Sequence, residues 1–256
     1  MKQFVLALGS GGVRGFGHIG VLKALDYYQL RPNCIYGTSA GSLVGAFYQS
    51  GFQATEIEKL AISLQPIDLI DLCWPKNGFL RGLKLNHFIN KNISVSRIEK
   101  LPHKFRAIAS DCQSGKIKVI SEGVLSDAIQ ASCSIPGVFR PAVFNHQNYL
   151  DGDLNSPVPM MPARQEFPEA IVMGVNIIPA LNLLDTGSVF WSRRVAKNTY
   201  RHSLIDWEKP SADIYLDLKL PPLNWSLKKW AQNQIDAGYQ QTLDIIPKLK
   251  QILESV

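Results

Sequence analysis

Apolar residues in the first fifty positions alternate between short continuous runs and helical spacing. The run Phe4–Leu8 is typical of a strand that is buried on both faces. After the glycine-rich residues 9–15, apolar side chains recur at helical spacing over residues 18–29, which predicts a helix. A second strand over residues 34–36 and a helix over residues 40–50 follow. This βαβα order predicts a parallel sheet with covering helices.

The rest of the chain continues to alternate between strands and helices. Further strands are predicted over residues 105–110, 117–121, 170–176 and 214–218, and further helices over residues 126–132, 186–207 and 226–255. The last helix should break at Pro247, because proline lacks a backbone N–H. Several prolines from Pro136 to Pro162 predict an irregular stretch around residues 149–152. Since no repeat, low-complexity tract or linker interrupts the chain, we expect one domain over residues 1–256.

The composition excludes two classes of chain. Of 256 residues, 46% are hydrophobic and 19% are charged, so the chain has more apolar surface than a disordered protein. The mean hydropathy is −0.01, and no stretch approaches the ~18 uninterrupted apolar residues of a membrane span. The net charge of +6 favours anionic partners, such as acidic lipid headgroups or nucleic acid.

The cysteines and the first residues indicate the compartment. Four cysteines without a CxxC pair predict reduced thiols in a cytoplasm rather than a disulfide scaffold or a zinc site. The opening apolar run is too short for a signal peptide and leads at once into glycines, which favours a first strand. We therefore expect a cytoplasmic protein.

Residues 37–41 read Gly-Thr-Ser-Ala-Gly, a G-x-S-x-G pattern between a predicted strand and a predicted helix. This pattern places a serine on a sharp strand-to-helix turn, with its hydroxyl exposed above the edge of the sheet. Gly37 and Gly41 leave room for this nucleophile elbow, and the N-terminus of the following helix favours negative charge. Ser39 is therefore the candidate nucleophile; a serine in an ordinary tight turn is the alternative.

The glycine-rich residues 9–15 allow three interpretations. The first is dinucleotide binding, but the spacing departs from G-x-G-x-x-G and no acidic residue for the ribose ends the second strand. The second is an oxyanion hole, in which the backbone N–H groups of Gly11, Gly12 and Val13 point at a developing negative oxygen. The third is that these glycines serve packing alone.

None of the five histidines stands in a local pattern that marks a catalytic base for Ser39. Asp151 is a different kind of candidate, because it directly precedes Gly152 within the proline-rich stretch. An aspartate is a weak base near neutral pH unless burial raises its pKa. A Ser–Asp dyad therefore needs strong oxyanion stabilisation, which the glycine-rich loop would supply.

These motifs together closely resemble the patatin-like phospholipases, particularly their bacterial members. The resemblance is carried by Gly-Gly-Val-Arg-Gly at residues 11–15, by the Ser39 motif and by Asp151-Gly152. Residues 131–141 and the turn at residues 111–115 are also similar to family segments, so the resemblance covers roughly residues 4–162.

The resemblance implies a fold and a chemistry. The fold would be a three-layer α/β/α sandwich with a mainly parallel central sheet. Ser39 would be the nucleophile and Asp151 the general base of a dyad without histidine. The oxyanion hole would be formed by Gly11, Gly12, Val13, Arg14 and Gly15. The activity would be hydrolysis of lipid acyl esters, with no cofactor and no catalytic metal.

One position departs from the family pattern. A small residue usually follows the Asp-Gly pair, whereas this chain has Asp153. Its negative charge would raise the pKa of Asp151 if the carboxylates are close, and would have no effect if Asp153 faces solvent. Arg14 also has two interpretations, a structural ion pair with a carboxylate or contact with a lipid phosphate.

Residues 66–92 are rich in large apolar side chains, with Gly78 and Gly82 as candidate hinges. They are interpreted either as a helical cap packed on the core or as an apolar lid over an acyl chain.

Two basic segments carry interleaved aromatic residues. The first, residues 186–207, includes Arg193, Arg194, Lys197 and Arg201, and the second, residues 225–230, combines two tryptophans with two lysines. Such segments are suited to reversible contact with an anionic membrane at its inner face, although a solvated helix face is the alternative. Nucleic acid is not expected as a partner, because no recognition motif accompanies the charge.

The first functional hypothesis is a serine acyl hydrolase that cleaves phospholipid or lysophospholipid esters through an acyl-enzyme on Ser39. The alternative is a lipid-binding regulatory module that has the fold and little or no turnover. Nothing in the sequence indicates an oligomeric state.

Overall fold

The computed structural model describes residues 2–69, 71–73, 78–180, 189–222 and 226–255. Within these residues one sheet contains eight strands, namely β1 (Phe4–Leu8), β2 (Cys34–Thr38), β3 (Lys104–Asp111), β4 (Ile117–Ile120), β5 (Ala142–Phe144), β6 (Gln147–Asp151), β7 (Ile171–Asn176) and β8 (Ile214–Asp217). The α-helices there are α1 (Phe16–Tyr27), α2 (Ala40–Gln49), α3 (Ala54–Ser63), α4 (Pro66–Leu69), α5 (Leu83–Asn92), α6 (Leu125–Ser132), α7 (Met160–Glu166), α8 (Val189–Glu208), α9 (Leu227–Leu243) and α10 (Ile246–Glu254).

The sheet is mostly parallel and is covered on both faces. Its order is β5-β6-β3-β2-β1-β7-β8, with β4 paired to β3. The neighbouring strands β3-β2-β1-β7-β8 pair in parallel. Strands β4, β5 and β6 add antiparallel pairs. Alternate residues of β1 enter two cores: Leu6 packs with α1, α2 and α9, and Val5 packs with α7 and α8. The predicted three-layer α/β/α fold is confirmed.

The predicted break of the C-terminal helix is confirmed. Helix α9 ends at Leu243 and α10 begins at Ile246, so that Pro247 lies in the first turn of α10. Proline is tolerated there because an N–H in the first turn has no acceptor within the helix. Among the described residues, no helix is both long and apolar enough to cross a bilayer.

The prediction of an irregular proline-rich stretch is wrong. Strands β5 and β6 form a hairpin, whose turn residues Asn145 and His146 have φ angles of 46° and 64°. No proline lies between Pro141 and Pro157, so the backbone N–H groups of the hairpin are free to pair. Pro162 lies in the first turn of α7, where a proline does not interrupt helical hydrogen bonds.

Residues 66–92 contain both a cap and an exposed apolar segment. Leu85 and Ile89 of α5 are buried in the core, as a helical cap requires. Large apolar side chains that are exposed include Ile67, Leu72, Phe79 and Leu83. Ile70 and Trp74, which belong to the predicted lid, lie outside the described residues.

The two glycines predicted as hinges are tightly packed positions. A Cβ on Gly78 would lie 2.5 Å from the backbone of Phe139, and one on Gly82 would lie 2.5 Å from the side chain of Gln130. Both glycines also have positive φ angles, 152° and 82°. They therefore hold this segment against α6 and the loop that follows it.

Candidate active site

Ser39 lies on a sharp turn between β2 and α2, as the G-x-S-x-G pattern predicts. Its φ and ψ are 53° and −119°, a strained conformation for a residue other than glycine. A Cβ on Gly37 would lie 2.5 Å from the carbonyl oxygen of Gly41, and one on Gly41 would lie 2.1 Å from that of Leu8. Only glycine fits at these two positions of the turn.

The backbone of Ser39 is held from both sides. Its N–H donates to the hydroxyl of Ser132 at 2.9 Å, and its carbonyl oxygen accepts from the N–H and the hydroxyl of Ser42 at 2.9 and 2.7 Å. Ser132 is the last residue of α6, and two residues later the carbonyl oxygen of Ser134 accepts the N–H of Asp151 at 2.9 Å. The end of α6 therefore contacts both candidate catalytic residues.

The hydroxyl of Ser39 donates to Asp151 Oδ2 at 2.6 Å. The pairing of β3 explains how residues so distant in sequence meet. Strand β4 occupies one edge of β3, and β2 and β6 share the other edge: Thr38 of β2 pairs with Ile108, and Asp151 of β6 pairs with Ala109. Strand β6 thus continues the line of β2 beyond its end, which places Asp151 beside Ser39.

The environment of Asp151 makes its carboxylate a stronger base than usual. Its side chain is 1% exposed. Burial, and then the negative charge of Asp153, raise the pKa of Asp151 to about 7, against the opposing effects of the Ser39 hydroxyl, the Asp153 N–H and Arg201. A base with a pKa near neutrality is well matched to proton transfer at that pH.

Asp153 is buried beside Asp151 and does not face solvent. Its N–H donates to Asp151 Oδ1 at 2.9 Å. Its Oδ1 accepts from the Ser10 hydroxyl and from Nε of Arg201, the latter at 2.7 Å. Arg201 Nη2 also donates to Ser10 Oγ at 3.1 Å, and Lys197 Nζ lies 3.9 Å from Asp153 Oδ2. A network of hydrogen bonds thus joins α8 to Asp151.

The glycine-rich loop contains a 3-10 turn over Gly12–Gly15. The N–H groups of Gly11, Gly12 and Val13 have no acceptor among the described residues, and of these three residues Gly11 and Gly12 line the cavity at Ser39. The N–H of Arg14 already donates to the Gly11 carbonyl at 3.2 Å, so Arg14 is not placed as a backbone donor. A Cβ on Gly15 would lie 3.0 Å from Ala40 Cβ, so Gly15 packs the loop against the elbow.

The side chain of Arg14 has no ion pair with any residue that the structure describes. The first interpretation of Arg14, a structural ion pair with a carboxylate, is therefore not found among the described residues. Partial burial lowers the pKa of Arg14 from its ordinary value.

His18 supports the glycine-rich loop, a role that no motif in the sequence indicates. It is fully buried, and burial lowers its pKa to about 4, so the ring is neutral. Its Nε2–H donates to the carbonyl oxygen of Gly9 at 2.7 Å, which anchors the start of the glycine-rich loop. None of the five histidines is among the described residues that line the cavity at Ser39.

The cavity at Ser39 has a volume of about 200 Å³. Its lining combines the predicted Gly11, Gly12, Arg14, Ser39 and Asp151 with Ser10, Ile135, Asp153, Ile178, Pro179, Lys197 and Arg201. Within the described ranges, no three His, Cys, Asp or Glu side chains are grouped to hold a metal ion.

Two basic residues that the sequence placed on a lipid-facing surface belong to this cavity instead. Lys197 and Arg201 are four residues apart on α8, so they share one face of the helix, and the charge of Asp153 attracts both. The predicted lipid-facing position of Trp230 is also wrong, because this residue is 3% exposed and packs edge-on against Phe16.

The structure describes the two predicted membrane segments only in part. The start of the first segment, residues 186–188, and Trp225 of the second lie outside the described residues, as do the side chains of Arg193 and Arg194.

Comparison with solved structures supports the fold. VipD of Legionella pneumophila superposes with a TM-score of 0.62 at 12% identity, over 96% of this chain and 67% of that chain. ExoU of Pseudomonas aeruginosa, in its complex with SpcU, gives a TM-score of 0.51 at 12% identity, over 99% of this chain and 53% of that chain.

Sequence relatives are similar over part of their length. An uncharacterized NTE family protein of Mycobacterium tuberculosis is 36% identical over 163 residues, which are 62% of this chain and 45% of that protein. Lysophospholipase NTE1 of Candida albicans is 29% identical over 196 residues, 73% of this chain and 14% of that protein. The chain thus spans less than half the length of these relatives. The sequence profile of the patatin-like phospholipases matches residues 6–164, and the chain therefore belongs to the patatin-like phospholipase family.

Proposed function

We propose that this chain is a serine hydrolase that cleaves acyl esters of phospholipids or lysophospholipids. The observation that carries the proposal is the 2.6 Å hydrogen bond from the Ser39 hydroxyl to a buried carboxylate whose pKa is raised to about 7. Membership in the patatin-like phospholipase family and similarity to proteins named lysophospholipase support lipid esters as substrates.

In the proposed reaction, Ser39 Oγ attacks the ester carbonyl carbon while its proton passes to Asp151 Oδ2. The N–H groups of Gly11, Gly12 and Val13 would stabilise the negative oxygen of the tetrahedral intermediate. The C–O bond to the alcohol then breaks, and the alcohol leaves with the proton held by Asp151. A water molecule attacks the acyl-enzyme, gives its proton to Asp151, and the fatty acid leaves as Ser39 regains a proton.

The dyad is tested by Ser39→Ala and Asp151→Asn. Each substitution should lower kcat/KM for a soluble short-chain ester by about 10³-fold or more, because removing one member of a nucleophile–base pair disables the pair. Circular dichroism should show that both variants remain folded. Ester turnover by either variant at the wild-type rate would contradict the dyad.

Labelling with a fluorophosphonate probe separates the enzyme from a lipid-binding module without turnover. The wild type should be labelled and Ser39→Ala should not, because the probe reacts with an activated serine. Ser63→Ala, which alters an exposed serine at the end of α3, serves as the control and should be labelled like the wild type. A folded wild type that neither reacts with the probe nor hydrolyses any ester would favour the binding module.

We further propose that the protein acts in the cytoplasm and contacts anionic membranes reversibly. All four thiols are unpaired, as is typical of a reducing compartment. The net charge of +6 favours attraction to anionic lipid. The exposed apolar side chains between α4 and α5 provide a surface that lipid would cover.

A further inference from the structure

The cavity at Ser39 holds more positive than negative charge. Its described lining includes the cations Arg14, Lys197 and Arg201 and the carboxylates Asp151 and Asp153. Arg201 is matched by Asp153 through a 2.7 Å ion pair, which leaves Arg14 and Lys197 against Asp151 alone. The surplus is one positive charge when Asp151 is ionised and two when it holds a proton. An anion brought into this cavity would therefore be attracted in either state.

Arg14 is a partly desolvated cation without a partner. Its side chain makes no hydrogen bond or ion pair with the residues described in the structure, and burial is the cause that lowers its pKa. Removing a cation from water is unfavourable unless an opposite charge replaces the lost hydration. No carboxylate of the described chain supplies that charge to Arg14.

Lys197 is also incompletely satisfied. Its Nζ lies 3.9 Å from Asp153 Oδ2, which is beyond hydrogen-bonding distance, and its side chain is half exposed. Asp153 instead directs its short contacts to Arg201 and Ser10. The ammonium group of Lys197 thus keeps its donors available at the cavity while Arg201 is held in place.

The volume of the cavity limits what the surplus charge would bind. About 200 Å³ is less than the roughly 300–1,000 Å³ of typical small-molecule pockets. That volume fits an ester group and one phosphate-sized group, and it leaves the acyl chain to extend outside. Ile135, Ile178 and Pro179 provide apolar lining where the chain begins.

We propose that Lys197 and Arg14 form an anion subsite beside Ser39 that binds the phosphate of the substrate's headgroup. The preferred substrates are then single-chain acyl esters that carry a phosphate a few bonds from the ester, such as lysophosphatidates, rather than neutral monoacylglycerols. This inference rests on the proposed hydrolase function and adds a substrate class to it.

The test compares a lysophosphatidate and a monoacylglycerol with the same short acyl chain, both below their critical micelle concentrations. The wild type should show the higher kcat/KM for the lysophosphatidate. Lys197→Gln and Arg14→Gln should each lower the ratio of the two kcat/KM values about tenfold, as expected for loss of one charge-assisted hydrogen bond. Lys59→Gln, which removes an exposed charge on α3, should leave the ratio unchanged.

Inorganic phosphate, balanced against sodium chloride at equal ionic strength, identifies the source of the anion. It should raise KM for the lysophosphatidate and leave KM for the monoacylglycerol unchanged, because only the first substrate competes for the subsite. Stimulation of monoacylglycerol hydrolysis by phosphate would assign the subsite to a free anion and overturn the headgroup proposal. A ratio that is the same in wild type, Lys197→Gln and Arg14→Gln would overturn the subsite itself.

Binding to the Ser39→Ala variant keeps this inference separate from the proposed catalysis. Calorimetry should show tighter binding of the lysophosphatidate than of the monoacylglycerol, and Lys197→Gln in the same background should remove the difference. Equal binding of both lipids would overturn the subsite even in an active hydrolase. If the wild type hydrolyses neither lipid, the hydrolase proposal fails while the binding comparison still decides on the subsite.

Discussion

Asp153 is the residue whose charge most raises the pKa of its neighbour Asp151. Its negative charge is second only to burial among the causes that raise the pKa of Asp151. Asp153→Asn keeps the shape and the backbone N–H to Asp151 while removing that charge. The pKa of Asp151 should therefore fall, and the ionised base should persist into more acidic solution. The acidic limb of kcat/KM for a soluble neutral ester should move to lower pH.

Asp213→Asn is the matched control, because Asp213 also pairs with an arginine, Arg164, outside the cavity. It should leave the acidic limb where it is in the wild type. An acidic limb that does not move in Asp153→Asn would show that Asp153 does not act on the base that limits the rate.

At the scale of elements, Arg201 of α8 is linked to Asp151 through Asp153. The positive charge of Arg201 opposes the rise in the pKa of Asp151. Arg201→Gln should therefore raise the pKa of Asp151 further and move the acidic limb to higher pH, opposite in direction to Asp153→Asn. The measurement is the pH profile of kcat/KM with the same soluble neutral ester.

The control for α8 is Arg97→Gln, which breaks the exposed ion pair of Arg97 with Glu99 and should not move the limb. If the acidic limb moved to higher pH in Arg97→Gln as it does in Arg201→Gln, the change would reflect the net charge of the protein rather than the contact of α8 with Asp153.

The elements around Ser39 were predictable because their signals are local. The apolar run of β1, the G-x-S-x-G turn and the helical spacing of α1 each lie within about a dozen residues. The place of Asp151 beside Ser39 depends instead on which edge of β3 the hairpin β5–β6 joins, and no local pattern specifies that register. The same holds for Trp230, whose burial depends on packing against α1 from the far end of the chain.

At the scale of the whole molecule, the site extends beyond the part of the chain that carries the family motifs. The profile match ends at residue 164, yet Lys197 and Arg201 of α8 line the cavity. Their ion pairs with Asp153 join residues 44 and 48 positions apart, so sequence spacing on α8 alone suggested a lipid surface instead. The pairing of Ser39 with Asp151 was predicted from motifs, whereas the charge around the pair depends on the complete fold. The single domain over residues 1–256 remains a prediction.

Because Lys197 and Arg201 line the cavity and Trp230 is buried, a membrane would be contacted through another surface. The exposed Phe79 and its neighbour Leu80 are hydrogen-bonded to Val138 and Arg140, a few residues after Ile135 in the cavity lining, and the exposed Leu72 pairs with Leu80. A membrane at this segment would therefore lie near Ile135 in the lining of the cavity at Ser39. We expect anionic vesicles to bind the wild type more strongly in low salt than in moderate salt, since salt screens the attraction.

Leu72→Ser combined with Phe79→Ser should weaken binding to anionic vesicles by about tenfold or more, because full burial of one large apolar side chain contributes about 1.5–3 kcal/mol. Tyr27→Ser, which removes an exposed aromatic side chain at the end of α1, should bind like the wild type. Hydrolysis of a soluble ester should persist in all variants, because none of these residues lines the cavity. Co-sedimentation with vesicles measures the binding. Equal sedimentation of the double variant and the wild type would mean that this apolar segment does not enter lipid.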